Sequence, residues 1–261
     1  MDSYLALVNL PGYYPIRGSR KAMRKYLLAG LFLAVVSAQA ASITFSTPAG
    51  STVGSPAQSA SGSAVFNVTS SNAFTITLSN TLSASGLNDA GQLLTDLEFG
   101  LTGGTVSMTG SSGQQVMVDS NGNVTTATTG TTGWGFGSTG ANSYLLCIIC
   151  GNGVTSTGAP SEGIVPAGTS FPNANNSIAG NKPHNPFLES GASFNFTTSS
   201  AITTASFSNV VFSFGTTFGN NVGATGSTGT SSTPEPATLM IAGAGLIGLG
   251  LLKRRNHSRP E

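Results

Sequence analysis

Charge is the property that this sequence has least of. Only 7% of its 261 residues are Asp, Glu, Lys or Arg, whereas about 25% is usual for soluble proteins. Between residues 41 and 233, six acidic residues face a single base, Lys182, which gives a net charge of −5. Because one lysine cannot neutralise several phosphates, the composition argues against nucleic-acid binding.

Helical periodicity is also missing from residues 41–233, and apolar residues recur there with a period of two. Residues 74–78, 193–197 and 209–214 alternate in this way, which is typical of half-buried strands. Val118 leads into Asp119-Ser120-Asn121-Gly122, a hairpin turn signal, and Val124 begins the return. We therefore predict an all-β fold, an antiparallel β-sandwich with a jelly roll as one form of it.

The N-terminus has the three parts of a secretory signal peptide. Met23-Arg24-Lys25 precedes an apolar run over residues 27–36, and Ala38-Gln39-Ala40 forms an A-x-A cleavage site. Signal peptidase is therefore expected to cut before Ala41. Residues 1–22 are interpreted as an upstream mis-start, with a long charged leader as the alternative.

The C-terminus combines three features in a fixed order. Pro234, Glu235 and Pro236 favour an extended chain, an apolar run covers residues 239–252, and Lys253-Arg254-Arg255 follows it. About 14 helical residues are roughly 21 Å long, which is short against a bilayer core of about 30 Å. Bilayer thinning or snorkelling of the basic side chains would complete a short transmembrane helix whose basic end is cytoplasmic.

Pro234-Glu235-Pro236-Ala237-Thr238, the Gly/Leu-rich run and Lys253-Arg254-Arg255 together resemble the PEP-CTERM sorting signal of Gram-negative bacteria. The resemblance is confined to these C-terminal residues. Ala237 stands where Ser or Thr is common in the family, and residues 256–261 extend beyond the basic end. The resemblance implies cleavage by an exosortase-type enzyme, an intermediate anchored in the inner membrane, and a final place at the cell surface or in the extracellular matrix.

These signals divide the chain into four segments. We predict a signal peptide with its upstream extension at 1–40, a β-sandwich domain at 41–221, a flexible Gly/Ser/Thr linker at 222–233 and the sorting signal at 234–261. Residues 151–186 are rich in Gly, Pro and Asn and are predicted to be a long loop region.

Cys147 and Cys150 are the only cysteines. Two cysteines do not complete a zinc site, and a redox C-x-x-C normally opens a helix, whereas this pair follows the strand-like Tyr144-Leu145-Leu146. Because exported proteins favour oxidised cysteines, we predict a local structural disulfide. A redox pair, free thiols and pairing with another chain are the alternatives.

Acidic residues offer two further patterns. Asp96 and Glu98 are two residues apart on a strand and hence about 7 Å apart, within the spacing of about 6.5–9.5 Å of inverting glycosidases; we interpret them as a solvated strand face. Residues 119–123 carry oxygen ligands at alternate positions, but glycine stands at the fourth rather than the sixth place of a calcium loop, so a plain hairpin turn is preferred.

His184 is the only histidine before the C-terminal signal, so a Ser–His–acid triad would need it, with Glu162 or Glu189 as the orienting acid. No G-x-S-x-G elbow occurs in the chain, and a proline-fixed loop is the preferred interpretation. Trp134 and Phe136 lie among glycines on one strand face and could stack on sugar rings, although core packing of the tryptophan is the preferred alternative.

Three functions follow from these observations. The first is an exported, non-enzymatic protein of the surface or exopolysaccharide matrix, without cofactor or metal. The second is a carbohydrate-binding module that uses Trp134 and Phe136. The third is a glycan-active enzyme that uses Asp96 and Glu98.

Overall fold

A computed structural model of the protein describes residues 41–227, and these residues form an all-β body. Its strands are β1 (Ala41–Ser46), β2 (Thr52–Val53), β3 (Gln58–Ser59), β4 (Gly62–Ser70), β5 (Ala73–Asn80), β6 (Leu94–Leu101), β7 (Val106–Val118), β8 (Val124–Gly130), β9 (Gly135–Gly140), β10 (Ser143–Cys147), β11 (Ile164–Val165), β12 (Phe187–Thr198), β13 (Phe207–Phe214), β14 (Asn221–Gly223) and β15 (Thr225–Ser227). Short 3₁₀ turns occupy Ala84–Gly86, Ala90–Gln92 and Thr204–Ser206.

The predicted signal peptide and the C-terminal sorting signal both lie outside the described residues. Within residues 41–227, no helix has the length and apolar character needed to cross a membrane.

Strands β6 and β12 lie at the centres of two arrays. β6 pairs with β10 and β13, which continue to β9 and β14, whereas β12 pairs with β5 and β7 and continues through β4, β1 and β15 on one side and β8 on the other. The short strand β11 pairs with β6 and, in parallel, with β12. It therefore joins the two arrays into one hydrogen-bonded network.

Phenylalanine rings from the two arrays meet in the core. The Phe99 ring of β6 has its centroid 5.3 Å from that of Phe66 on β4 and 6.4 Å from that of Phe196 on β12, and Phe74 of β5 lies 5.0 Å from Phe207 of β13. Because β4 and β5 are not hydrogen-bonded to β6 or β13, these are contacts between facing layers. Burial of these large rings supplies the main driving force for folding.

The period-two pattern of the sequence accounts for the strands around this core. On β12, Phe194 and Phe196 are buried while Asn195 and Thr197 are exposed, because successive side chains point to opposite faces. The Asp119–Gly122 segment closes the β7–β8 hairpin, as predicted.

The boundary predicted between body and linker is wrong. Residues 221–223 pair with β13, and residues 225–227 pair with β1, so the body continues to the last described residue. Edge pairing uses backbone N–H and C=O groups, and a Gly/Thr-rich segment can supply these without an apolar side-chain pattern.

Residues 151–186 are mostly irregular, as predicted, and include only the short strand β11. A second apolar cluster lies beneath this region and contains Val116, Phe171, Ile178 and Phe187.

Candidate functional site

Asp96 lies in the middle of β6 and has no exposed surface. The prediction that it occupies a solvated strand face is wrong, because β10 and β13 flank the strand and a loop covers that face. In register, Asp96 lies opposite Cys147 of β10 and Ser213 of β13, and Cys147 lies opposite Gly135 of β9. These four residues form a row across four strands, which we call the Asp96 row.

The covering loop consists of residues 150–158, and hydrogen bonds fix it to the residues just before β9 and just after β10. The backbone N–H of Thr157 donates to the carbonyl oxygen of Gly133 at 2.8 Å, and the hydroxyl of Ser156 donates to the carbonyl oxygen of Ile148 at 2.7 Å. A Cβ atom on Gly135 would come within 1.9 Å of the carbonyl oxygen of Thr155. Glycine at position 135 thus lets the loop lie directly on the face that carries the Asp96 row.

A disulfide joins Cys147 to Cys150 at the start of this loop, with Cα atoms 5.1 Å apart. Cys147 is fully buried, whereas Cys150 is partly exposed. The sulfur of Cys150 lies 3.3 Å from the carbonyl oxygen of Cys147. Because a disulfide sulfur carries no proton, that approach is a contact rather than a hydrogen bond.

Burial changes the acidity of Asp96. Neither carboxylate oxygen makes a hydrogen bond to any of the described residues. The pKa of Asp96 is raised to about 8, mainly by desolvation on burial. The nearby Ile149 backbone N–H opposes this shift without reaching hydrogen-bond geometry, and the neighbouring charge of Glu98 adds to it. The carboxyl group is therefore largely neutral at pH 7.

Glu98 lies two residues further along the same face and is half-buried, opposite Leu145 of β10 and Val211 of β13. The pair does have one acid with a raised pKa, as a glycosidase requires. However, Asp96 is closed off from solvent, so it cannot protonate a glycosidic oxygen in this arrangement. The geometry does not present Asp96 and Glu98 as a catalytic pair.

Trp134 and Phe136 point into the core rather than outwards. Trp134 is 3% exposed, its Nε1–H donates to the carbonyl oxygen of Glu162 at 3.0 Å, and its ring lies 5.4 Å from that of Phe194. Phe136 stacks on Tyr144 at 5.6 Å. The predicted platform for sugar stacking is thus used for core packing, the alternative preferred from the sequence.

Glu162, considered from the sequence only as an orienting acid for His184, has a structural role. It is buried at a left-handed φ of 65°; its carboxylate accepts the side-chain amide of Gln115 at 2.8 Å and the backbone N–H of Gly133 in a short hydrogen bond. These contacts tie β7, the entry to β9 and the 151–186 region together. No periodicity or motif around position 162 could have indicated this role.

His184 does not meet an acid in the structure. Its Nδ1 lies 2.9 Å from the carbonyl oxygen of Ser177 and therefore carries the proton. The carboxylate of Glu189 instead accepts the side-chain amide of Gln114 at 2.9 Å. The residues considered for a triad are thus used for loop and strand contacts.

The Asp119 carboxylate accepts hydrogen bonds from the turn in which it lies. Its Oδ1 accepts the backbone N–H groups of Asn123 and Asn121, both at 2.8 Å. Hydrogen bonds from Asn123 are the main cause of the lowered pKa of Asp119, and the bond from Asn121 adds to them. The carboxylate is thereby occupied as a hairpin residue rather than presented to a cation. Among residues 41–227, no three His, Cys, Asp or Glu side chains form a group that could hold a metal ion.

Comparison with known protein families gives one match. The model of the PEP-CTERM protein-sorting motif matches residues 232–255, which include Pro234, Glu235, Pro236 and the basic Lys253-Arg254-Arg255. Neither the curated proteins nor the solved structures give a match. The C-terminus of this chain is therefore a PEP-CTERM sorting motif, which implies an exported protein that an exosortase sorts to the cell surface.

Proposed function

We propose that this protein is a non-enzymatic component of the cell surface or extracellular matrix of a Gram-negative bacterium, associated with exopolysaccharide. Its body is an antiparallel β-sandwich, with jelly-roll connectivity remaining a prediction. The observation that supports the proposal best is the combination of the sorting motif at residues 232–255 with a folded body that carries almost no charge.

The exposed strand faces have the chemistry that a polysaccharide environment favours. Along strands β7 and β8, most exposed side chains are hydroxyl or amide groups and none is charged: Ser107, Thr109, Ser112, Gln114, Thr125, Thr128 and Thr129. Met117 and Ala127 are the apolar exceptions. Hydroxyls and amides exchange hydrogen bonds with water and sugars at little net cost. Such a surface supports many weak contacts rather than one specific pocket.

The proposed route uses both ends of the chain. Signal peptidase removes the leader before Ala41, and the apolar segment at 239–252 holds the precursor in the inner membrane. An exosortase-type enzyme then acts at the motif that contains Pro234, Glu235 and Pro236. The body needs to contribute nothing to this route except a stable fold.

The carbohydrate-binding and enzymatic hypotheses each depend on a residue that is not accessible to a ligand. A carbohydrate-binding module would need Trp134 exposed, and a glycan-active enzyme would need Asp96 in contact with substrate. Both side chains are buried.

Fractionation of the producing cells tests the proposal. We expect the wild-type protein in the exopolysaccharide fraction, and the Pro234→Ala/Pro236→Ala variant in the membrane fraction, because processing fails. Glu98→Gln, as the matched control in the body, is expected to reach the polysaccharide as the wild type does. A processed body that is freely soluble and never associates with polysaccharide would contradict the matrix role.

A further inference from the structure

We propose that Cys147, Cys150 and Asp96 form a thiol–disulfide exchange site, in which the Asp96 carboxyl group passes a proton to and from Cys147. The co-reactant is a dithiol, either a small molecule or a protein. The proposal rests on the strand register, on the unequal exposure of the two cysteine residues and on the unpartnered carboxyl group, and it is independent of the matrix role.

The strand register places the Asp96 and Cys147 side chains next to each other. The N–H of Ile148 donates to the carbonyl oxygen of Thr95 at 2.8 Å, and the N–H of Leu101 donates to that of Asn142 at 2.9 Å. Along β6, the hydrogen-bonded positions are therefore the odd-numbered ones. Asp96 and Cys147 form a non-hydrogen-bonded pair, the closer of the two antiparallel types, with Cα atoms about 4.5 Å apart and both side chains on one face.

The two cysteine residues differ in exposure, and we infer the direction of attack from this difference. Cys150 is partly exposed, whereas Cys147 is fully buried beside Asp96. An incoming thiolate therefore reaches Cys150, and Cys147 is the leaving group. A thiolate released into a buried site is costly unless it is neutralised, and the carboxyl group opposite it carries a proton at neutral pH.

The reaction balances without any other reagent. The thiolate of the dithiol attacks Cys150 Sγ, the Cys147–Cys150 bond breaks, and the electron pair goes to Cys147 Sγ, which takes the proton of Asp96. In the mixed disulfide, the second thiol of the dithiol then attacks the dithiol sulfur that is bonded to Cys150, and Cys150 leaves as a thiolate. The dithiol is oxidised to a disulfide and the protein disulfide is reduced, while Asp96 regains a proton from the second thiol through solvent.

Asp96 is the carboxyl group of this face that lies opposite a cysteine. Glu98 is the second titratable carboxyl there, and it lies opposite Leu145 and Val211 rather than a cysteine. Glu162 approaches the end of the covering loop at Gly158, but its carboxylate accepts hydrogen bonds from Gln115 and Gly133. Strands β9, β13 and β14 and residues 151–158 carry no titratable side chain. Tyr144 of β10 lies on the opposite face, against Phe99.

A purely structural disulfide would not need a carboxyl group beneath it. An unpartnered carboxyl in the interior destabilises a fold, and an apolar residue of similar size would fill the space without that cost. The orphaned carboxyl oxygens of Asp96 are therefore the observation that a structural role leaves unexplained.

The test is the pH profile of disulfide reduction in the full chain by dithiothreitol, with each rate divided by the dithiothreitol thiolate concentration. For the wild type, we expect this normalised rate to fall as the pH rises through about 8, where Asp96 loses its proton. Asp96→Asn should remove that dependence and slow reduction at pH 6–7 by at least about tenfold. Glu98→Gln, the matched control, should keep the fall in rate, shifted somewhat to lower pH because the Glu98 charge helps to raise the pKa of Asp96. Equal normalised rates and profiles for wild type and Asp96→Asn would overturn the proposal.

Alkylation of single-cysteine variants gives a second test that does not depend on Asp96 variants folding. We expect the Cys150 thiol in Cys147→Ser to react with iodoacetamide at least about tenfold faster than the Cys147 thiol in Cys150→Ser, because only the former is exposed. Equal reactivity of the two thiols would contradict the assigned direction of attack.

Discussion

Both faces of β6 are buried, but burial affects the stability of the fold differently on each face. On the inner face, Phe99 packs among aromatic rings of both arrays. On the outer face, Asp96 lies beneath the disulfide loop without a hydrogen bond. Burial of the first side chain stabilises the fold, whereas burial of the second destabilises the charged form of the acid. One strand therefore shows that low exposure alone does not identify a stabilising position.

Truncation of a side chain on the inner face of β6 should cause the largest loss of stability. Phe99→Ala removes a fully buried ring and leaves a cavity, so we expect the free energy of unfolding to fall by about 3–5 kcal/mol. Urea unfolding measures this loss. Met117→Ala is the matched control, because Met117 is 42% exposed, and it should change stability by well under 1 kcal/mol. Similar losses for the two variants would contradict the assignment of the core.

On the outer face of β6, burial of Asp96 should make the stability of the protein depend on pH. Because folding raises the pKa of Asp96 from 3.8 to about 8, the folded state holds more protons than the unfolded state between these values. The contribution of Asp96 to stability is therefore fully present below about pH 4 and is lost as the pH rises to about 8.

Replacement of Asp96 by Asn should remove this decline, which amounts to several kcal/mol across the interval. Urea unfolding at pH 5, 7 and 9 measures the difference between the two proteins, and we expect Asp96→Asn to be the more stable at pH 9. Glu98→Gln should retain the decline. A wild-type protein whose stability is flat between pH 5 and pH 9 would show that Asp96 is not buried as described.

The contact between the covering loop and β9 should give a smaller effect. Gly135→Ala places a methyl group against the Thr155 carbonyl oxygen, so we expect a loss of about 1–3 kcal/mol from overpacking. Gly130→Ala on β8 is the control, because a Cβ atom there meets nothing within 4 Å. Thermal unfolding compares the two variants, and a tolerated alanine at position 135 would mean that the loop does not lie on this face.

The smallest effect is expected at the exposed hairpin turn. The turn hydrogen bonds lower the pKa of Asp119, so ionised Asp119 contributes stability above its unfolded value of 3.8 that is lost as the pH falls through its folded pKa. Asp119→Ala should therefore show slightly less loss of stability than the wild type on acidification below about pH 4. Unfolding at pH 3 and pH 6 measures this difference. A wild-type loss equal to that of Asp119→Ala would show that the turn hydrogen bonds of Asp119 do not contribute to stability.

The sequence was sufficient for the features that depend on local pattern. The alternation in β12 and the turn residues of the β7–β8 hairpin predicted both elements, and the proline pair with its apolar run predicted the sorting motif that the family comparison then matched. Each of these signals lies within about 25 contiguous residues.

Features that depend on contacts between distant residues were missed. The residues around Asp96 predict a solvated position, and its burial depends on the loop at 150–158, which is distant in sequence. Glu162 likewise has its hydrogen-bond partners at residues 115 and 133. The strands at 221–223 and 225–227 form because two sheet edges offer free backbone groups. None of these arrangements has a local pattern that could reveal it.

The intact mass of the protein, from cells with and without the exosortase-type enzyme, tests the central claim most directly. With the enzyme, we expect a product that begins at Ala41 and has lost the C-terminal segment containing Lys253, Arg254 and Arg255; without it, that segment is retained. A mass that includes residues 253–255 in both strains would contradict the account of this chain as an exported, C-terminally sorted protein.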